Sequence, residues 1–179
     1  QDHAPVNEQA EAVGHAVRAG YLYSGMADVA ALTRNDRYIE ALDQRMLPHA
    51  TVRAKIADAD AAALAIRRMW VRGAPLIGAV GAYGLAMALD RDPSDLALTR
   101  AHAVLDATRP TAVNLRWALD RVRGAVSALP AAKRADAAWR EADAIVVEDI
   151  AINHAIGAHG LALLRQLAKH RSGPVRVMT

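Results

Sequence analysis

The chain has 179 residues, 53% of them hydrophobic, with a formal net charge of +3 and no cysteine. That length suits one domain with room for a core. The missing cysteines exclude disulfides and thiolate metal sites, and the small charge, with no dense Lys/Arg run among aromatics, gives nucleic-acid binding little support. Much of the apolar content is alanine and phenylalanine is absent, which favours closely packed helices over a β-sandwich because alanine is the best helix former and is depleted in strands.

Residues 1–37 read as an unassigned N-terminal extension. Glu8 to Arg18 has modest helical character, and the first residues are polar with no apolar core of a signal peptide, so the cytoplasm is the default compartment. Tyr38 to Leu42 and Thr51 to Ile56 read as short strands around a turn at Leu47-Pro48-His49. In the second strand Val52, Ala54 and Ile56 alternate with Arg53 and Lys55, the period-two pattern of a half-exposed strand. The pair predicts a small antiparallel sheet.

Five helices are predicted after it. Asp58 to Met69 is the first, capped by Asp58 or Asp60. Leu76 to Leu89 is almost wholly apolar, which marks a helix buried on most of its surface. Gly78, Gly81 and Gly84 share one of its faces and imply tight packing, since each costs about 1 kcal/mol in a helix interior. Tyr83 is assigned to the core with its hydroxyl at a polar edge. Ser94 to Ala107 follows a stop-and-start signal at Asp92-Pro93-Ser94-Asp95, with Ser94 as cap. Thr111 to Leu129 comes next, with Thr111 as its cap, and then Ala131 to Lys169, with a bend expected near Gly157 and Gly160. Ser172-Gly173-Pro174 is a linker, and Val175 to Met178 a strand. The apolar run at Leu76 is too short and too rich in glycine for a membrane span.

Two corners carry the functional signal. Arg72-Gly73-Ala74-Pro75 lies where one helix ends and the next begins. Pro75 suits a first helical turn, where no backbone donor is needed. The free N–H groups there, with Arg72 beside them, outline an anion site. Arg109-Pro110-Thr111-Ala112-Val113-Asn114 repeats the design, with Arg109 pushed out of any helix by the proline after it. The plain readings are a solvated loop arginine and an Arg109 paired with a surface carboxylate; the functional one is two helix mouths converging on a single phosphate. His154 and His159 lie on different helix faces and His102 is isolated, so no metal is assigned. Glu148 and Asp149 are adjacent and diverge on a helix, which suits an arginine partner or a domain contact better than paired acid–base chemistry. Trp70, Trp117 and Trp139 read as core or interface anchors, with Trp70 notable for standing beside Arg72.

Taken together, Val71-Arg72-Gly73-Ala74-Pro75-Leu76-Ile77-Gly78 and Arg109-Pro110-Thr111-Ala112-Val113-Asn114-Leu115 resemble the methylthioribose-1-phosphate isomerase family, which is related to the regulatory subunits of translation initiation factor 2B. Leu42-Asp43-Gln44-Arg45-Met46-Leu47-Pro48, Glu148-Asp149-Ile150-Ala151-Ile152-Asn153-His154-Ala155-Ile156-Gly157 and Val175-Arg176-Val177-Met178-Thr179 match further family segments in the family's order. The resemblance covers about Ile39 to Thr179. It implies a mainly α fold: a helical N-terminal domain with a small antiparallel sheet over 38–171, then a linker and first strand at 172–179 leading to a Rossmann-like catalytic domain that this chain lacks. In the family the strand ending in Thr runs on to His-Cys-Asn, whose Cys is catalytic, and a catalytic Asp lies further on. This cysteine-free chain is therefore expected to be inert alone.

The activity implied is aldose–ketose isomerisation of S-methyl-5-thioribose 1-phosphate to the ribulose 1-phosphate in methionine salvage, by a cytoplasmic homodimer without cofactor. This chain would supply substrate binding, with Arg72, Gly73 and Ala74 on the phosphate and Arg109 as a second cationic contact, and no catalytic residue. The rivals are a related isomerase of 5-deoxyribose 1-phosphate or ribose 1,5-bisphosphate, and a non-catalytic regulatory or assembly module like the initiation-factor relatives.

Overall fold

The computed structural model describes residues 38–170. The helix expected at Glu8–Arg18 and the strand expected at Val175–Met178 lie outside them. Strand β1 (Ile39–Leu42) pairs antiparallel with β2 (Arg53–Ile56), Ile39 opposite Ile56 and Leu42 opposite Arg53. The expected alternation holds along β2, with Arg53 and Lys55 exposed and Ala54 and Ile56 turned inward. Ile56 is fully buried, but Val52 falls outside the strand, 40% exposed, and its carbonyl instead accepts the Asp43 N–H.

Five helices follow: α1 (Ala59–Arg67), α2 (Ala74–Arg91), α3 (Asp95–Asp106), α4 (Val113–Ser127) and α5 (Ala131–Lys169). The mainly helical class and the two-stranded sheet are those the sequence predicts. Asp58 caps α1 by accepting from the Ala61 N–H (2.7 Å), and Ser94 caps α3 by accepting from Ala97 (3.2 Å), each satisfying a donor that a helix start leaves over. Thr111 does not cap α4. That helix begins one residue later than a Thr111 cap would place it, behind Ala112, because the Ala112 N–H bonds back to the Arg109 carbonyl (2.9 Å) and turns the chain first. α5 also departs from expectation: it runs unbroken through Gly157 and Gly160. Glycine weakens a helix without forcing a break, and a Cβ added at either position would meet nothing within 4 Å.

α2 is the central element and packs against each of the other four helices. Its glycines explain how. A Cβ at Gly78 would stand 3.0 Å from the Asn114 carbonyl oxygen, one at Gly81 would overlap Leu115 Cδ1, and one at Gly84 would lie 2.9 Å from Ala62 Cβ. Two of these positions bring α4 against α2, and the third brings α1. The core between them is aliphatic, with Leu76, Val80, Leu85, Leu89, Leu115, Leu119 and Val122 no more than 1% exposed. Tyr83 and Trp139 pack with their rings at 5.5 Å, and each sends its polar atom to a carboxylate: Tyr83 to Asp143 and Trp139 to Asp90, both at 2.8 Å. Arg134 is a buried charge. It donates to the carbonyls of Leu129, Pro93 and Ser127 and pairs with Asp95, tying the end of α4 and the start of α3 to the start of α5.

Candidate functional site

The corner between α1 and α2 is built by backbone bonds. The Met69 N–H donates to Ile66 and the Trp70 N–H to Ala65, closing α1 with Met69 at φ 58°. Val71 is fully buried and pins the loop to the core. Gly73 stands before α2 at φ 95°, a left-handed conformation that a side chain would strain. Ala74 and Pro75 then open the helix, with no side-chain cap. Pro75 has no N–H, so the free donors around this start are those of Gly73, Ala74 and Leu76.

The chain before β2 locks the corner from outside. Gln44 donates its backbone N–H to the Trp70 carbonyl (2.8 Å) and its side-chain Nε2 to the Arg72 carbonyl (3.3 Å). Asp43 and Gln44 are buried. Asp43 forms a two-pronged pair with Arg45 (2.8 and 2.6 Å), and those hydrogen bonds, aided by the more distant Arg72, hold its carboxyl below the usual aspartate range. Arg45 in turn lies over the Trp70 ring, 5.1 Å from its centroid.

Arg72 is half-buried and its Nε has no partner. Among the described residues neither Arg72 nor Arg109 enters an ion pair, a state they share with Arg53, Arg67, Arg68, Arg100, Arg140 and Arg165. The plain reading of Arg109, a surface carboxylate partner, is thus not what the fold provides. The start of α4 likewise lacks a side-chain cap. The two helix starts adjoin: Gly78 touches Asn114 and Ala118, and Pro75 and Leu76 line one hollow with Val113 and Asn114.

That hollow, about 380 Å³ between α2, α4 and α5, was not anticipated from the sequence. Its walls are mainly apolar, with Ala79, Trp117, Ile145, Val146 and Ile152 completing them around Glu148 and Asp149. Arg72, Gly73, Ala74 and Arg109 do not line it. Burial pushes the Asp149 carboxyl up, while two hydrogen bonds from Arg121 (2.5 and 2.7 Å) hold Glu148 down. Arg121 also binds Glu141 and lies 5.4 Å from the Trp117 ring centroid. Glu148 is therefore the arginine partner the sequence suggests, and both acids reach the same hollow despite being adjacent.

Trp117 is 50% exposed at the wall of the hollow, and Trp139 is the core anchor expected. His102 is not isolated; its Nε2 lies 2.9 Å from Asp120. Among the described residues no three His, Asp or Glu side chains gather as a metal site requires, and no helix there is long and apolar enough to cross a membrane. The part of the site that sequence reasoning missed is the polar face of Gln44; the Asp43-Gln44 pair was visible only as part of a family-like segment, with no role attached.

Residues 70–173 match the model of the initiation factor 2 subunit family. A Rhodospirillum rubrum protein, described as an uncharacterized protein in the petC 3′ region, is 50% identical over 144 residues, covering 77% of this chain and 78% of its own. Methylthioribose-1-phosphate isomerase of Rhizobium meliloti is 51% identical over 150 residues, covering 83% of this chain and 41% of the enzyme. The crystal structure of 5-methylthioribose 1-phosphate isomerase from Pyrococcus horikoshii superposes with a TM-score of 0.61 at 33% identity, over 66% of this chain and 36% of that one. The chain thus spans about two fifths of the length of the isomerases it matches.

Proposed function

This chain belongs to the initiation factor 2 subunit family, and from that premise we propose that it forms the phosphate-holding helical part of an aldose–ketose isomerase acting on S-methyl-5-thioribose 1-phosphate in methionine salvage. The observation that carries the reading is the corner at the start of α2: an unpaired, half-buried Arg72 beside Gly73 at φ 95° and an uncapped helix. Arg72 and the N–H groups of Gly73 and Ala74 bind the phosphate, and Arg109 adds a second cation from the start of α4. Helix starts and guanidinium groups favour dianions for the same reason, partial and full positive charge presented through N–H donors. Their contribution is orientation and electrostatic stabilisation rather than bond-making. The working unit on this reading is a cytoplasmic homodimer. Identity of about half to isomerases favours this over a regulatory or assembly role, as does an arginine corner that a purely structural module does not need.

Titration of the chain with methylthioribose 1-phosphate tests the proposal. Saturable binding, weakened at least tenfold in an Arg72→Ala, Arg109→Ala double variant that still folds, is the expected result. Binding that ignores both substitutions removes the phosphate role.

A further inference from the structure

Among the described residues three buried side-chain polar atoms lack a hydrogen-bond partner: Gln44 Oε1, Trp70 Nε1 and Arg72 Nε. All three belong to the corner just described, because Gln44 is bonded to the carbonyls of both Trp70 and Arg72. Buried polar atoms are nearly always satisfied, so three orphans in one corner call for a common explanation. The Gln44 amide cannot be flipped to remove its orphan. A carbonyl oxygen only accepts, so the side of the amide facing the Arg72 carbonyl must be Nε2, and Oε1 is left over. Gln44 as a whole is 4% exposed, which denies that oxygen bulk water.

The orphans are two donors and one acceptor. A phosphate dianion offers acceptors alone; it suits Arg72 Nε and Trp70 Nε1 and gives Gln44 Oε1 nothing. A hydroxyl both donates and accepts. A sugar phosphate carries both kinds of group a few ångströms apart. Arg45 over the Trp70 ring also draws electron density from the indole and makes its N–H a better donor. The carboxylate beside Gln44 is already engaged by Arg45 and does not compete for the ligand's hydroxyl.

We propose that Gln44 is a specificity-determining residue that accepts a hydrogen bond from a ring hydroxyl of the bound sugar phosphate, while the Trp70 indole N–H donates to the same ligand. The inference rests on the reading of Arg72 as the phosphate holder and extends it from the anion to the sugar. It makes this corner selective for hydroxylated pentose phosphates over phosphate itself, because a deoxy ligand leaves Gln44 Oε1 desolvated and unpaired.

Side-chain nitrogen NMR reads all three groups directly in the intact chain, with the Trp70 indole assigned through Trp70→Phe. Inorganic phosphate is expected to move the Arg72 Nε–H and leave the Gln44 amide in place. Ribose 1-phosphate is expected to move Arg72, Trp70 and Gln44 together, leave the Trp139 indole unmoved, and bind about tenfold more tightly than its 2-deoxy or its 3-deoxy counterpart. Gln44→Met, checked as folded by its unshifted Trp139 indole, is expected to abolish that preference. The deoxy comparison needs no variant and stands if Gln44→Met fails to fold. Ribose 1-phosphate that moves Arg72 but not Gln44, equal affinity for all three sugars, or a preference that survives Gln44→Met would overturn the inference and assign the orphans to an ordered water. An Arg72 signal indifferent to phosphate and sugar phosphates alike would instead sink the phosphate reading beneath it.

Discussion

Arg72→Ala separates a binding residue from a structural one, and the structure sets the size of each effect. In the free chain the Arg72 guanidinium forms no ion pair and its Nε has no partner, so truncation sacrifices no side-chain hydrogen bond. The contact that holds the loop uses the Arg72 carbonyl, which accepts from Gln44 and survives any side chain. Val71, fully buried, and Gly73, with its positive φ, continue to fix the path. Asp43 keeps Arg45 as its main partner, since Arg72 is the least of the influences on its carboxyl. The stability cost is therefore about 0.5 kcal/mol or less, the range of a substitution that breaks no buried feature. A charged hydrogen bond to phosphate, by contrast, contributes about 1.5–3 kcal/mol, or one to two decades in dissociation constant. Arg72→Lys should restore only part of this, because a point charge cannot reproduce the planar fork. Calorimetric titration with methylthioribose 1-phosphate and a thermal melt, run on the same three proteins, provide the comparison. Unchanged affinity with a melting temperature several degrees lower would show that Arg72 braces the corner, and the phosphate argument would be wrong.

Other substitutions probe the frame around the site. Gly81→Ala should destabilise the chain by about 1–3 kcal/mol through overpacking against the fully buried Leu115, partly offset by better helix propensity, and denaturant unfolding measures the balance; no loss would mean that α2 and α4 are not held this close. Arg134→Met keeps the volume but strips three backbone carbonyls of their donor and should cost about 1–3 kcal/mol by the same measurement. Asp149→Asn should raise the melting temperature at neutral pH: burial lifts the carboxyl's pKa in the folded state, so its charged form costs stability above that pKa, and the cost vanishes as pH falls below the unfolded value of 3.8. A gain from Asp149→Asn that persisted undiminished at low pH would show that something other than charge burial is responsible.

Much of the fold was legible because the signals were local. Asp58 and Ser94 announce helix starts by side-chain chemistry alone, and the apolar run of α2 can only be a buried helix. The glycines at 78, 81 and 84 foretold close approach, though not which helices would approach. Thr111 misled because a cap residue was present while the backbone, turning at Arg109, placed the helix start elsewhere. The bend expected at Gly157 failed for a related reason: propensity alone does not break a helix. The hollow escaped altogether because its walls come from three helices distant in sequence, and no single segment carries its pattern. For Gln44 the signal was present only as a neighbour of Asp43. Its meaning depends on where one amide oxygen is left after folding, which no spacing rule encodes.

The long helix α5 has a mechanical consequence. Its last buried residue is Ile145 and Glu148 is still bonded to Arg121 of α4, yet it continues to Lys169, which at 1.5 Å per residue is about 32 Å of helix beyond that anchorage. Ile152, Ile156, Leu163 and Leu167 along that reach are each more than half exposed. Such a rod behaves as a lever with a short clamped arm: each 10° of tilt at the clamp sweeps the far end by about 6 Å. The packing of Trp139, Ala142 and Ile145 against the core therefore sets the aim of whatever the far end carries. A change as small as Ala142→Val, made at a fully buried position among the helices, would be felt there as a change of direction as well as a loss of stability.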